Sequence, residues 1–298
     1  MKLTQKSVEI GNSTITLEVG RFAEQASAAV VARCGDTMVL AAVTASSRET
    51  TLDYFPLSVE YVERLYAGGR IKGSRWVKRE GRPTDDAVLA GRVIDRSIRP
   101  LFPKTYKHDV QVIITTLSVD GENDPDILAL VAASAAIAIS SIPWKGPVAA
   151  VRVGYIKEEG KDKGTILINP TAPQQELSEF DFIVSSNADR VMMLEGGFCE
   201  TPEDIVVDAV VQAKIANKKI IDCINELVKE VGKEKVEVVE KPTTEELEKK
   251  LAKDYKKELD VQFKKQTEKE GGDTGMGDLA KEIAEKYEQL HTIADIMS

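Results

Sequence analysis

Residues Val110–Ser141 read VQVIITTLSVDGENDPDILALVAASAAIAISS, and this stretch decides the fold. Val110–Ser118 is rich in β-branched side chains, which crowd a helix and suit a pleated strand. Asp120-Gly121-Glu122-Asn123-Asp124-Pro125 supplies turn and capping residues in succession. Asp126–Ser141 is dominated by Ala, Leu and Ile on every face, which predicts a helix buried all round. Pro143 ends it. Strand, turn and buried helix in this order predict a layered α and β domain.

Working upstream, the N-terminal stretch MKLTQKSVEIGNSTITLEV alternates apolar and polar residues and reads as strand, not signal peptide. Thr14–Val19, Ala28–Arg33, Thr37–Val43 and Tyr54–Val62 read as strands, with Gly35-Asp36 a tight turn between the second and third. Tyr66–Arg82, broken by Gly68, Gly69 and Gly73, reads as a long flexible loop. A helix begins at Thr84, a good N-cap, with Asp85 and Asp86 in its first turn; Pro100 stops it.

Downstream, Val148–Ile156, Gly164–Ile168, Phe180–Ser185 and a run from Val191 read as strands, and Asp204–Val231 as one long amphipathic helix. Residues 243–298 hold few strand formers and many Lys and Glu, and predict two or three helices with a break at Gly271–Gly277. The expected class is therefore α+β with a mixed sheet, followed by an all-α domain. The expected limits are 1–145 for the first core, 146–238 for a second subdomain ending in the long helix, and 239–298 for the helical domain, with the break near 235–242.

The formal net charge of −9 argues against nucleic-acid binding if taken alone. The charge is uneven, however. Between Arg64 and Lys107 stand twelve Lys or Arg and four Asp or Glu, a local excess of eight positive charges. That concentration fits either a polyanion site or a solvated charged surface. No run of 18 apolar residues exists, so no membrane span is expected. Cys34, Cys199 and Cys223 are widely spaced, each in an apolar setting. They predict neither a disulfide framework nor a zinc site, but a reduced, cytoplasmic protein.

Arg92, Arg96 and Arg99 fall at i, i+4 and i+7, on one narrow helical face, opposite Ala87, Ala90, Ile94 and Ile98. Three guanidinium groups on one stripe repel each other unless anions lie between them, and their planar forks match phosphate oxygens. Asp95 is expected off that face and unable to neutralise it. Salt bridges to carboxylates elsewhere are the alternative. The segment Gly73–Arg82 sets Trp76 among Arg75, Lys78, Arg79 and Arg82, a composition suited to single-stranded RNA, with bases stacked on the ring and cations on the phosphates. A Trp folded onto the core is the alternative.

Neither His108 nor His291 lies in a nucleophile pattern, which disfavours Ser-His-Asp or Cys-His catalysis. No GxxxxGK[ST] motif exists. Asp120, Glu122, Asn123, Asp124 and Asp126 could ligate a hard cation, but a helix-capping turn is the better reading.

Residues 17–44 (LEVGRFAEQASAAVVARCGDTMVLAAVT), 55–74 (FPLSVEYVERLYAGGRIKGS), 78–102 (KREGRPTDDAVLAGRVIDRSIRPLF), 123–156 (NDPDILALVAASAAIAISSIPWKGPVAAVRVGYI) and 224–232 (INELVKEVG) together resemble the bacterial polynucleotide phosphorylase family. The resemblance covers residues 1 to about 235. It implies the first of two ribonuclease-PH-like cores, of ribosomal-protein-S5-like βαβα plan, followed by that family's helical domain. The implied whole enzyme is a homotrimeric ring that degrades mRNA from its 3′ end with inorganic phosphate. Single-stranded RNA and other RNA-decay proteins are its implied partners.

The resemblance also implies that Trp76-Val77-Lys78-Arg79 stands where the family has a channel loop, usually two aromatics and two basic residues. Arg92, Arg96 and Arg99 match its RNA-facing helix. Active cores carry a phosphate-gripping Gly-Thr-Arg or serine cluster where this chain has Gly121-Glu122-Asn123-Asp124. They pair two aspartates and a lysine where it has Gln175, Asp181 and Ile183. No catalytic or metal-binding residue is therefore expected here; Mg2+ and phosphate are expected at a second core. A free-standing phosphorolytic ribonuclease and a non-enzymatic RNA-binding module are the alternatives.

Overall fold

The computed structural model describes residues 3–50, 52, 54–71, 81–103, 105–157 and 164–238, with 253–256, 258 and 261 beyond them. The chain divides into two compact units, Met1–Val238 and Val239–Ser298. The architecture below is that of the first.

Strands β1 (Thr4–Ile10), β2 (Ser13–Val19), β3 (Ala28–Cys34), β4 (Thr37–Glu49), β5 (Leu57–Val62) and β6 (His108–Ser118) form one sheet in the order β1-β2-β3-β4-β6-β5. Neighbours are antiparallel except β5 and β6, which run parallel, so the sheet is mixed. Parallel neighbours need a crossover, and helix α1 (Asp85–Ile98) supplies it. A second sheet holds β7 (Ala149–Ile156), β8 (Thr165–Ile168), β9 (Phe180–Ser186) and β10 (Val191–Phe198) in the order β10-β9-β7-β8, all antiparallel. Helix α2 (Pro125–Ile139) precedes it, the short α3 (Ala172–Glu176) interrupts it, and α4 (Glu203–Val231) follows.

Helix α2 is the centre of the core. From Ile127 to Ile139 every residue is buried, because the helix packs on β3 and β4 of the first sheet, on β7 of the second, and on α4. Its alanines let these elements approach closely, while Leu130 and Ile137 fill the space between them. Truncating such a Leu to Ala costs about 3–5 kcal/mol. Ser134, fully buried, accepts a 2.9 Å hydrogen bond from the Val148 amide. Lys235, beyond α4, donates through Nζ to the carbonyls of Ile137 and Ser140, each at 2.8 Å. It thus places a cation at the C-terminal end of α2, where the Ile137 carbonyl also accepts from the Ser140 amide and hydroxyl.

Within the first unit the expected elements form, with small shifts of their ends; the helices expected over 243–298 lie almost wholly outside the described residues. The Gly35-Asp36 turn joins β3 and β4, and Gly35 adopts φ +59°. A Cβ there would come within 2.6 Å of the Asn123 side chain, so the turn needs glycine twice over. Within the segment expected to be an open loop, Leu65–Gly68 forms a short 3-10 helix, while 72–80 lie outside the described residues. Cys34 and Cys223 are buried, but Cys199 is exposed, because it directly follows edge strand β10; the expectation of three apolar settings is corrected there. Among the described residues no helix is long and apolar enough to cross a membrane.

Candidate nucleic-acid interface and the carboxylate cluster of the core

Helix α1 starts where its sequence says it must. The Thr84 hydroxyl accepts from the Ala87 amide at 3.0 Å and donates to the Glu63 carboxylate at 2.7 Å. Ala87, Ala90, Val93, Ile94 and Ile98 are buried, which leaves the opposite face to solvent. Arg92 and Arg96 are exposed on that face, and no described residue forms a hydrogen bond or ion pair with either. Arg82 is exposed just before the helix. Arg75, Trp76, Lys78 and Arg79 lie outside the described residues.

Arg99 departs from expectation. Its guanidinium grips Asp95 through Nε (3.0 and 3.1 Å) and Nη2 (2.6 Å), and Nη2 also donates to the Leu57 carbonyl at 3.0 Å. Asp95 is not off the arginine face as far as Arg99 is concerned. The two stand at i and i+4, about 40° apart on the helix, close enough to pair. Arg99 therefore ties α1 to the start of β5. The stripe presents two unpaired guanidinium groups among the described residues, not three. Arg96 also borders a cleft of about 710 Å³ between α1 and β10, floored by Val191–Leu194.

On the other side of the core, the turn after β6 closes on itself. Asp120 Oδ1 accepts from the amides of Glu122 and Asn123, both at 2.9 Å, and from the Thr37 hydroxyl at 2.9 Å. Its Oδ2 accepts from Asn123 Nδ2 at 2.7 Å and the Asp36 amide at 3.1 Å. Burial works against the Asp120 charge, but these hydrogen bonds outweigh it and hold its carboxyl well below the usual range. The turn amides that could face an anion are thus spent on the chain's own carboxylate. Asp124 caps α2 by accepting from the Asp126 amide at 2.8 Å, as a capping turn should.

Arg152, in the middle of β7, was not legible as a site residue. Its Nε donates to Asp124 and its Nη1 to Asp181. Asp181 sits diagonally across on β9, since Arg152 pairs with Ile183 and Gly154 with Asp181. Burial works against the Arg152 charge; the two carboxylates more than offset this and raise its pKa. The only sequence signal was an arginine inside the apolar run Ala149–Ile156. Gln175 donates to the Pro170 carbonyl at 3.0 Å, and Ile183 is buried. Neither faces the pair as a ligand. Nearby, burial and the Asp124 charge push the Asp126 carboxyl up to about 6, although Tyr61 works against the rise. The Thr116 hydroxyl donates to the Tyr61 oxygen at 3.1 Å. Among the described residues no group of carboxylates, histidines and cysteines is arranged to hold a metal ion.

Two family models match nearly end to end: 3′ exoribonuclease family, domain 1, over residues 13–143, and domain 2 over 146–216. The chain belongs to the 3′ exoribonuclease family. Within it, the chain is similar to polyribonucleotide nucleotidyltransferases: 50% identical over 230 residues to that of Roseiflexus sp. (strain RS-1), and 47% over 230 residues to that of Caldicellulosiruptor saccharolyticus. Each alignment covers 77% of this chain, and 30% and 32% of the respective relatives. The chain thus spans about a third of the length of the curated relatives it matches. The crystal structure of rice (Oryza sativa) Rrp46 shares the fold, with a TM-score of 0.58 at 14% identity, covering 74% of this chain and 96% of that one. The resemblance read from the sequence is borne out, as is the α+β ribonuclease-PH fold.

Proposed function

We propose that this chain is the RNA-guiding and assembly-forming part of a phosphorolytic 3′-to-5′ exoribonuclease, with a core that performs no chemistry itself. One observation carries the second half of that reading. Arg152 stands between Asp124 and Asp181, where a catalytic core would need a divalent cation and free carboxylate lone pairs. A fixed guanidinium neutralises both carboxylates and would repel Mg2+. With Asp120 occupying the turn amides, and Glu122 and Asp124 beside it, the same side of the core is unsuited to phosphate. Mg2+ and inorganic phosphate then belong to a second core outside this chain, as in a homotrimer built from both.

The RNA-guiding half rests on Arg92 and Arg96. Both are exposed, lack carboxylate partners among the described residues, and sit on a helix fixed by its cap and by Arg99. Two fork-shaped cations one turn apart suit successive phosphates of a single strand. Arg82, exposed just before the helix, adds to the same basic surface, and the Arg75, Trp76, Lys78 and Arg79 segment that precedes it in sequence supplies further RNA contacts in this reading. Arg99 serves it by positioning the helix.

The test is direct. The purified chain, incubated with poly(A), phosphate and Mg2+, releases no nucleoside diphosphate, although it retains labelled oligo(A) at low salt. Robust ADP release overturns the reading in favour of a free-standing enzyme.

A further inference from the structure

Helix α4 buries one face along Ala209, Ala213, Ala216, Ile220 and Ile224. Its outward face carries a second apolar stripe. Val207, Val211 and Ile215 are 61%, 53% and 60% exposed. They stand at i, i+4 and i+8, so they form one row about two turns long. Water gains nothing by wetting them, and core packing does not use them.

The charges around this row are ordered. Glu203, Asp204 and Asp208 precede its centre; Lys214, Lys218 and Lys219 follow it. The acidic end suits the positive end of the helix. The basic cluster has no such explanation, because the helix continues to Val231. Asp204 and Asp208 are a like-charge pair at i,i+4, and so are Lys214 and Lys218; both pairs weaken a lone helix. No ion pair joins any of the six to another described residue, and Lys214 makes only a 3.4 Å hydrogen bond to the Asp189 carbonyl.

The pattern is a palindrome in charge about Val211. Val207 and Ile215 lie four residues to either side of it, and Asp204 and Lys218 lie seven to either side. At 100° per residue all five point within about 40° of one direction. A two-fold axis through Val211 therefore sets Val211 on Val211, Val207 on Ile215, and Asp204 opposite Lys218 of the other copy. Each like-charge pair meets its opposite.

From this arrangement we propose that the outward face of α4 is a self-complementary docking surface whose occupant is α4 of a second copy of this chain, running antiparallel. The contact is isologous. The aliphatic row supplies the dry centre and the lysine–carboxylate pairs the rim that fixes direction. A parallel pairing would stack aspartate on aspartate and lysine on lysine. The surface is independent of the α1 arginines and of the Arg152 cluster, so it stands or falls apart from the proposed RNA role.

The test uses the whole chain in sedimentation equilibrium. The chain dimerises, or pairs whatever ring it forms, in a concentration-dependent way. Asp204→Lys and Lys218→Glu each weaken this association at least tenfold. Mixing the two variants restores it, because at positions 204 and 218 one is then positive at both and the other negative at both. In a Cys199→Ser background, Val211→Cys links copies through a disulfide under mild oxidation, while Asp222→Cys, farther along the helix, does not. Failure of the mixture to associate overturns the proposal, as does absence of the Val211→Cys crosslink; the stripe then covers some other partner. Circular dichroism of each variant verifies that α4 is retained.

Discussion

The guanidinium of Arg152 on β7 holds the carboxylate of Asp181 on β9, one step diagonal across the sheet, and with its other edge holds Asp124 at the start of α2. The three side chains are unequally exposed: 12% for Arg152, 15% for Asp124 and 57% for Asp181. That inequality decides what each contributes. Breaking the buried half strands a carboxylate away from water, whereas the exposed half is screened by solvent.

Arg152→Met should therefore lower stability by about 3 kcal/mol, the range for a buried ion pair that loses one member. Asp181→Asn should change it by less than about 1 kcal/mol. Urea denaturation of both variants measures the contrast. Equal effects would show that Asp124 has another partner.

Asp126 carries a pH dependence of opposite sign to the usual carboxylate. Its folded pKa is raised to about 6, above the unfolded value, by burial first and by the Asp124 charge second. The folded state thus holds the proton longer. Well below pH 4 the group is neutral in both states and contributes nothing. As pH rises from about 4 to about 6 the unfolded state ionises while the folded state still holds its proton, so stability falls, and it levels off above about 6 once both states are ionised. Asp126→Asn should raise stability at pH 7 by about 1–3 kcal/mol and leave it nearly unchanged at about pH 3. Thermal melts across this interval check it. A variant equally stabilised at both pH values contradicts the assignment.

Arg92→Glu and Arg96→Glu should each weaken single-stranded RNA binding by about the same factor for oligo(A) and for oligonucleotides of other sequence and reduce its salt dependence, since phosphates carry no base information. Arg99→Ala should behave differently, loosening α1 from β5 and lowering the melting temperature before it changes the salt slope. Fluorescence anisotropy at several salt concentrations, beside thermal melts, separates the roles. Unchanged affinity in both Glu variants reduces the arginine stripe to a solvated face.

Asn217, fully buried on α4, donates to the Val184 carbonyl at 3.0 Å and to the Ser186 hydroxyl at 3.0 Å. Asn217→Leu removes the donor and leaves the carbonyl buried. A loss of about 1–3 kcal/mol is expected. Chemical denaturation measures it, and a neutral result would mean that water replaces the amide.

Within the first unit, the sequence itself determined the long helices and the strands named at the start. Those elements rest on interactions within a few residues: β-branched crowding in Val110–Ser118, the Thr84 cap three residues from the Ala87 amide, the all-round apolar pattern of α2, and the glycine required at position 35. Period and capping are written along the chain, so the class of fold and its family resemblance could be read there. The Asp95–Arg99 pair was also within reach, since i,i+4 partners follow from helix geometry alone.

Only the tertiary structure decided which charges are free. Arg152 meets Asp124 and Asp181 across 28 and 29 residues, and Asp120 meets Thr37 across 83. Such pairs depend on strand register and on the packing of α2 between two sheets. A shift of one residue in β7 would turn Arg152 to the opposite face. No local pattern specifies that register, because it is fixed by the burial of the whole core.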